Sequence, residues 1–171
     1  MIGYTEVLQT MAAMIIFSMI LMNANSLIHR NSMIQIDGEL EQEVISLGQE
    51  IIEEARSKSF DQVTVNAAAP PADIPGGFTA PGNLGPDSGE NQRSQFNDFD
   101  DYNGFNDIFT TAHGDFGVSV EVFYVDGTNF QKINSPSTFK KIEVTITSEF
   151  LRSGDAPREY TLEFIRNYYA D

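Results

Sequence analysis

The sequence predicts an α+β fold: a long N-terminal helix, hydrophobic in its first half and amphipathic in its second, packed on a small antiparallel β-sheet. Three observations predict it. Val7 to Ile28 is a run of 22 residues without a charge. Apolar residues from Met33 through Ile36, Leu40, Val44, Leu47 and Ile51 to Ala55 then step by 3, 4, 4, 3, 4 and 4, one stripe of an amphipathic helix. Beyond Gly117, three runs alternate with period two, as half-buried strands do. The chain therefore reads as four segments: a membrane or filament-core helix over 1–30, an amphipathic helix over 31–61, an irregular region over 62–116 and a sheet over 117–171.

In the first segment, Met11 to Met22 is apolar except for Ser18, with no proline or glycine. At 1.5 Å per residue, the 22 uncharged residues from Val7 to Ile28 reach about 33 Å as a helix, close to the roughly 30 Å hydrocarbon core. Helix is also the only open-chain backbone that satisfies its own polar groups in lipid. A single-pass membrane helix is the expectation. A cleaved signal fits less well, because no Lys or Arg precedes Arg30 and Asn23-Ala24-Asn25-Ser26 is a poor cleavage site. A buried core helix would need a larger protein around it. The charge flanks favour keeping Arg30 in the cytoplasm, whereas the acidic remainder looks exported; a mature chain whose basic leader has been removed reconciles the two. Glu6 is the lone charge before Arg30. A carboxylate at the edge of a span is either a functional site that needs a partner or an interfacial residue snorkelling to headgroups.

The amphipathic stripe is flanked by Asp37, Glu39, Glu41, Glu43, Glu50, Glu53 and Glu54, with Arg56 and Lys58 in the last turn, where cations suit the helix dipole. Gly38 and Gly48 weaken it locally. The helix is expected to stop by Phe60-Asp61. Residues 66–90 hold five of seven prolines and five of thirteen glycines, an irregular linker. The strands are Gly117–Val125, Phe139–Phe150 and Tyr160–Tyr168, joined by connections short enough for an antiparallel meander.

Before the sheet, Phe96, Phe99, Tyr102 and Phe105 recur every third residue with acids between them. The stretch reads as an acidic surface loop pinned by its aromatics, and no cofactor is expected. The alternative is calcium held by Asp98, Asp100, Asp101, Asn103 and Asp107, all hard oxygen donors. The EF-hand spacing is not met, since Tyr102 occupies the third ligand position.

Composition narrows the function classes. Twenty-five acids against ten bases give a net charge of −15, which argues against nucleic acid as a partner. With no cysteine there is no disulfide scaffold or thiol nucleophile, and two histidines, His29 and His113, leave little for a metal or acid–base centre. No nucleophile elbow, P-loop or zinc-protease motif is present. The expectation is a chain that is not an enzyme, an anchored hydrolase using Asp98 and Asp100 being the weakest of the readings.

Gly3-Tyr4-Thr5-Glu6 before the apolar run, Leu47 to Ser57 followed by Phe60-Asp61, and Phe139 to Thr147 together resemble type IV pilins and pseudopilins. The layout covers nearly the whole chain, although no proline breaks the helix at its membrane exit. The resemblance implies a structural subunit of a pilin-like filament. It would be stored in the inner membrane, handled by pilus-type assembly machinery and polymerised with copies of itself into an extracellular filament. It also implies that Glu6 pairs with a neighbour's terminal amine, that Met11, Met14, Phe17, Met19 and Met22 pack the filament core, and that Met1 and Gly3 mark the processing region. Cleavage after Met1 would make Glu6 the fifth residue, the family's position. Like charges on each subunit would repel, so screening or divalent cations would favour assembly. The alternative function is a single-pass membrane-anchored envelope domain that binds a partner without polymerising.

Overall fold

The computed structural model describes residues 3–67, 69–153 and 156–170. By their contacts they divide into two units, Met1–Glu41 and Gln42–Asp171. One helix, α1 (Tyr4–Arg56), supplies the first and enters the second.

In the first unit every described residue from Gly3 to Glu39 is exposed. The hydroxyl side chains of the apolar stretch satisfy themselves. Thr10 donates to the Val7 carbonyl at 2.8 Å, Ser18 to Met14 at 2.8 Å and Ser26 to Asn23 at 2.9 Å. Hydroxyls bonded back to their own helix cost little in lipid, where no water can serve them. The helix is long and apolar enough to cross a membrane.

In the second unit, α1 turns Val44, Ile51, Ile52 and Ala55 inward onto a four-stranded antiparallel sheet. Its strands are β1 (Asn106–Thr111), β2 (Gly114–Tyr124), β3 (Phe139–Ser153) and β4 (Ala156–Asn167), in the order β1-β2-β3-β4. The α+β architecture expected from the sequence is the one observed. Val118 pairs with Ile146, Val120 with Val144 and Val122 with Ile142, so the two central strands bring matching β-branched residues to one buried face. Gly48 is where the helix approaches β4 most closely. A Cβ there would sit 2.9 Å from a Leu162 methyl, so the glycine that weakens the helix also lets it close on the sheet.

The strand ends differ from expectation, β2 beginning at Gly114, β3 running to Ser153 and β4 spanning Ala156–Asn167, and two further differences have a physical cause. The fourth strand, β1, lies within the stretch read as irregular. It is an edge strand whose first three residues and Thr110 are exposed, so it carries no apolar alternation. It turns into β2 through Ala112-His113, with Gly114 at φ +117. The helix stops at Arg56 rather than near Phe60, because Ser59 leaves it to pair with the acidic segment: its N–H donates to the Asn97 carbonyl at 3.2 Å and its carbonyl accepts from Phe99 at 2.9 Å. The linker over 66–90 has no strand among its described residues. Phe78 and Leu84 anchor it by packing with Phe60 and Tyr124.

Candidate functional site

Three places gather chemistry. The first is the head of α1. Glu6 Oε2 accepts from the Gly3 N–H at 3.2 Å, while the Glu6 and Val7 N–H groups donate to the Gly3 carbonyl at 3.0 and 3.3 Å. The carboxylate thus caps the first turn of its own helix, using a donor that the helix leaves free. Met1 lies outside the described residues; Gly3 is this capped position. Met11, Met14, Phe17, Met19 and Met22 are each at least 59% exposed. At about 100° per residue they cover an arc of about 200°, and the exposed Ile16 and Ile20 fill the remaining side, so together they form an apolar cylinder rather than one docking stripe.

The second place is a buried charge centre. Lys140 shares the inward face of β3 with Ile142, Val144 and Ile146, and none of its surface is exposed. Its Nζ donates to Asp61 Oδ2 and the Phe60 carbonyl, both at 2.8 Å, and to Asp100. Asp61 is saturated. It also accepts from the Thr79 N–H and hydroxyl, the Val63 N–H and the Tyr124 hydroxyl. Burial pushes its carboxyl up, but Lys140 and the backbone donors outweigh that and hold it below the usual range. Asp100 goes the other way: burial dominates, and the charge of Asp61 adds to it against the pull of Lys140. Arg166, opposite Lys140 in register, donates to the Lys58 and Ser59 carbonyls at 2.8 and 3.2 Å. Together these bonds tie the end of α1, the Thr79 loop and the acidic segment to the sheet.

The third place is the acidic segment itself. Asp98 Oδ1 accepts from the N–H groups of Asp100 and Asp101 at 2.8 and 3.2 Å. Asp101 Oδ2 accepts from those of Asn97 and Asp98 at 2.7 and 3.0 Å. Each carboxylate therefore spends one oxygen on folding the loop. The other oxygens, Asp98 Oδ2 and Asp101 Oδ1, are buried without a hydrogen-bond partner, as is Asn97 Oδ1. One carboxylate oxygen from each of Asp87, Asp98 and Asp101 lies within 4.8 Å of the others. Glu90 joins them, accepting from the Asn97 side chain. Burial, then the neighbouring charges of Asp100 and Asp101, push the Asp98 carboxyl up to about 9. Burial and the charges of Asp101 and Asp87 also raise Glu90.

Of the five residues read as calcium donors, the structure brings together Asp98 and Asp101. Asp100 is diverted to Lys140. Asn103 is spent on the backbone, donating to the Leu84 carbonyl and accepting from the Val122 N–H, both at 2.9 Å. Asp107 stands exposed on β1, where it accepts from the Ile108 N–H at 2.8 Å. The aromatic spacing explains the split: Phe96, Phe99 and Tyr102 all point into the core, so the acids between them cannot all face one point. Asp87, Glu90 and Asn97 were missed. The first two come from the Pro/Gly-rich loop, and nothing in their local sequence marks them. Asp98 and Asp100 are at most 2% exposed. Compared with protein-family models, curated proteins and solved structures, the chain shows no match. The firm ground is therefore the α+β fold and a helix able to cross a membrane.

Proposed function

We propose that the chain is the structural subunit of a pilin-like filament, held in the inner membrane by the hydrophobic first part of α1, up to Arg30, and polymerised by packing those helices together. One observation carries this reading: the uncharged run from Val7 to Ile28 is exposed along its whole length, while the helix's continuation is built into a folded domain. Soluble monomers rarely leave so much contiguous apolar surface in water. Lipid covers it before assembly and neighbouring subunits cover it afterwards, and the methionines adapt to both surroundings. Within the filament core, Glu6 would exchange the Gly3 N–H for a neighbour's terminal amine. An unpaired carboxylate there is costly, so one register between subunits is favoured. The chemistry is assembly rather than catalysis.

The capping bond of Glu6 favours a second reading, in which the chain is a membrane-anchored domain that never polymerises and Glu6 merely starts its helix. Two variants separate them. Gln caps a helix as Glu does but carries no charge. With Glu6→Ala and with Glu6→Gln the chain should still fractionate with membranes, and filament yield should fall about tenfold or more, the loss expected from about 1.4 kcal/mol. Normal filament yield from Glu6→Gln would remove charge pairing from the mechanism.

A further inference from the structure

We infer that Asp87, Asp98 and Asp101 form a calcium site that joins the Pro/Gly-rich loop to the acidic segment. It shares no residue with the head of α1 and does not depend on whether the chain polymerises. Clustered acids alone would not carry this. What carries it is that Asp98 and Asp101 are each 1% exposed and each keeps one buried oxygen with no hydrogen-bond partner. A buried acceptor left unmade costs about 1–3 kcal/mol, more when charged. Two such carboxylates, in a cluster whose members each bring one oxygen within 4.8 Å of the others, call for a cation.

Among the described residues, no ion pair reaches this cluster. Lys140 is committed to Asp61 and Asp100, and Arg93 to Glu50 and Glu54. The three carboxylate oxygens lie within 4.8 Å of one another. Ligands on opposite sides of a calcium ion, at about 2.4 Å each, are about 4.8 Å apart, so one ion reaches all three with little movement. The donors are all oxygen, with neither nitrogen nor sulfur among them, which selects a hard cation. Magnesium demands a near-octahedral shell at about 2.1 Å and sheds water reluctantly, whereas calcium accepts irregular sets of six to eight oxygens. Asp87 is exposed, so it forms the entrance, and water fills the remaining positions on that side.

The test uses the full chain in detergent micelles, stripped with a chelator. CaCl2 is titrated by calorimetry and its effect on thermal unfolding is followed. MgCl2 and NaCl of equal ionic strength serve as controls. Saturable calcium binding and a higher melting midpoint are expected, with magnesium binding at least about tenfold weaker. Asp98→Asn disturbs the loop's own bonds, so the decisive variant is Asp87→Asn, which leaves in place the hydrogen bonds that the Asp87 backbone makes with Glu90. It should leave the calcium-free midpoint unchanged and weaken calcium binding about tenfold or more. Absence of binding up to about 10 mM calcium, beyond the weak end of known sites, would overturn the site. So would a midpoint shift that NaCl reproduces, or unchanged calcium affinity in Asp87→Asn.

Discussion

Lys140 shows what one residue can decide in this fold. It and Lys141 are adjacent, yet period two sends them to opposite faces. Lys141 lies outward and pairs with Glu143 at 2.8 Å and Glu163 at 2.7 Å, bridging two like charges that face each other across β3 and β4. Lys140 lies inward and serves two buried carboxylates. Replacing it by Met keeps the volume but leaves Asp61 and Asp100 without their cation. Breaking a buried pair from one side costs about 3–5 kcal/mol, so Lys140→Met should lower the unfolding free energy by about that much in urea titrations. The signal was present in the sequence: Lys140 has the parity of Ile142, Val144 and Ile146. What hides it is the general rule that lysines face water, which holds unless a partner is buried with them. The partners, Asp61 and Asp100, lie 79 and 40 positions away in the chain, and no local pattern announces them.

Among the elements, the helix was the most legible and the edge strand the least. The stripe from Leu40 through Val44 and Ile51 to Ala55 is buried as its spacing implies, while Met33 and Ile36, on the same stripe, stay exposed. Periodicity reports a face, not what covers it. β1 was illegible because its neighbours bury little of it; Asn-Asp-Ile-Phe-Thr-Thr has no alternation to read. The same limit applies to the acidic segment, where hydrogen bonds to the backbone choose which acids converge. The two helix glycines make the difference between propensity and packing measurable. Nothing lies within 4 Å of a Cβ at Gly38, so Gly38→Ala should stabilise the chain by about 0.5–1 kcal/mol through propensity alone. Gly48 faces Leu162, so Gly48→Leu should overpack the contact and cost about 1–3 kcal/mol. Thermal unfolding of the two variants should move in opposite directions.

At the scale of the molecule, the net charge of −15 averages two unlike parts. Twenty-four of the twenty-five acids lie at or after Asp37, and all six methionines lie at or before Met33. The first part has nothing folded against it from Gly3 to Glu39, whereas the second has a core of its own. A membrane alone would cover the apolar helix; the proposed filament would also give the lone glutamate at its head a partner on a neighbouring subunit. With no cysteine anywhere in the chain, cohesion between subunits would rest on helix packing and on pairing at Glu6. The most direct measurement is electron microscopy of material sheared from the cell surface, labelled with an antibody against residues 42–171. Labelled filaments, lost from cells lacking this chain, are the expected result. A chain recovered wholly as a detergent-soluble monomer in membranes, with no labelled filament, would contradict a filament role.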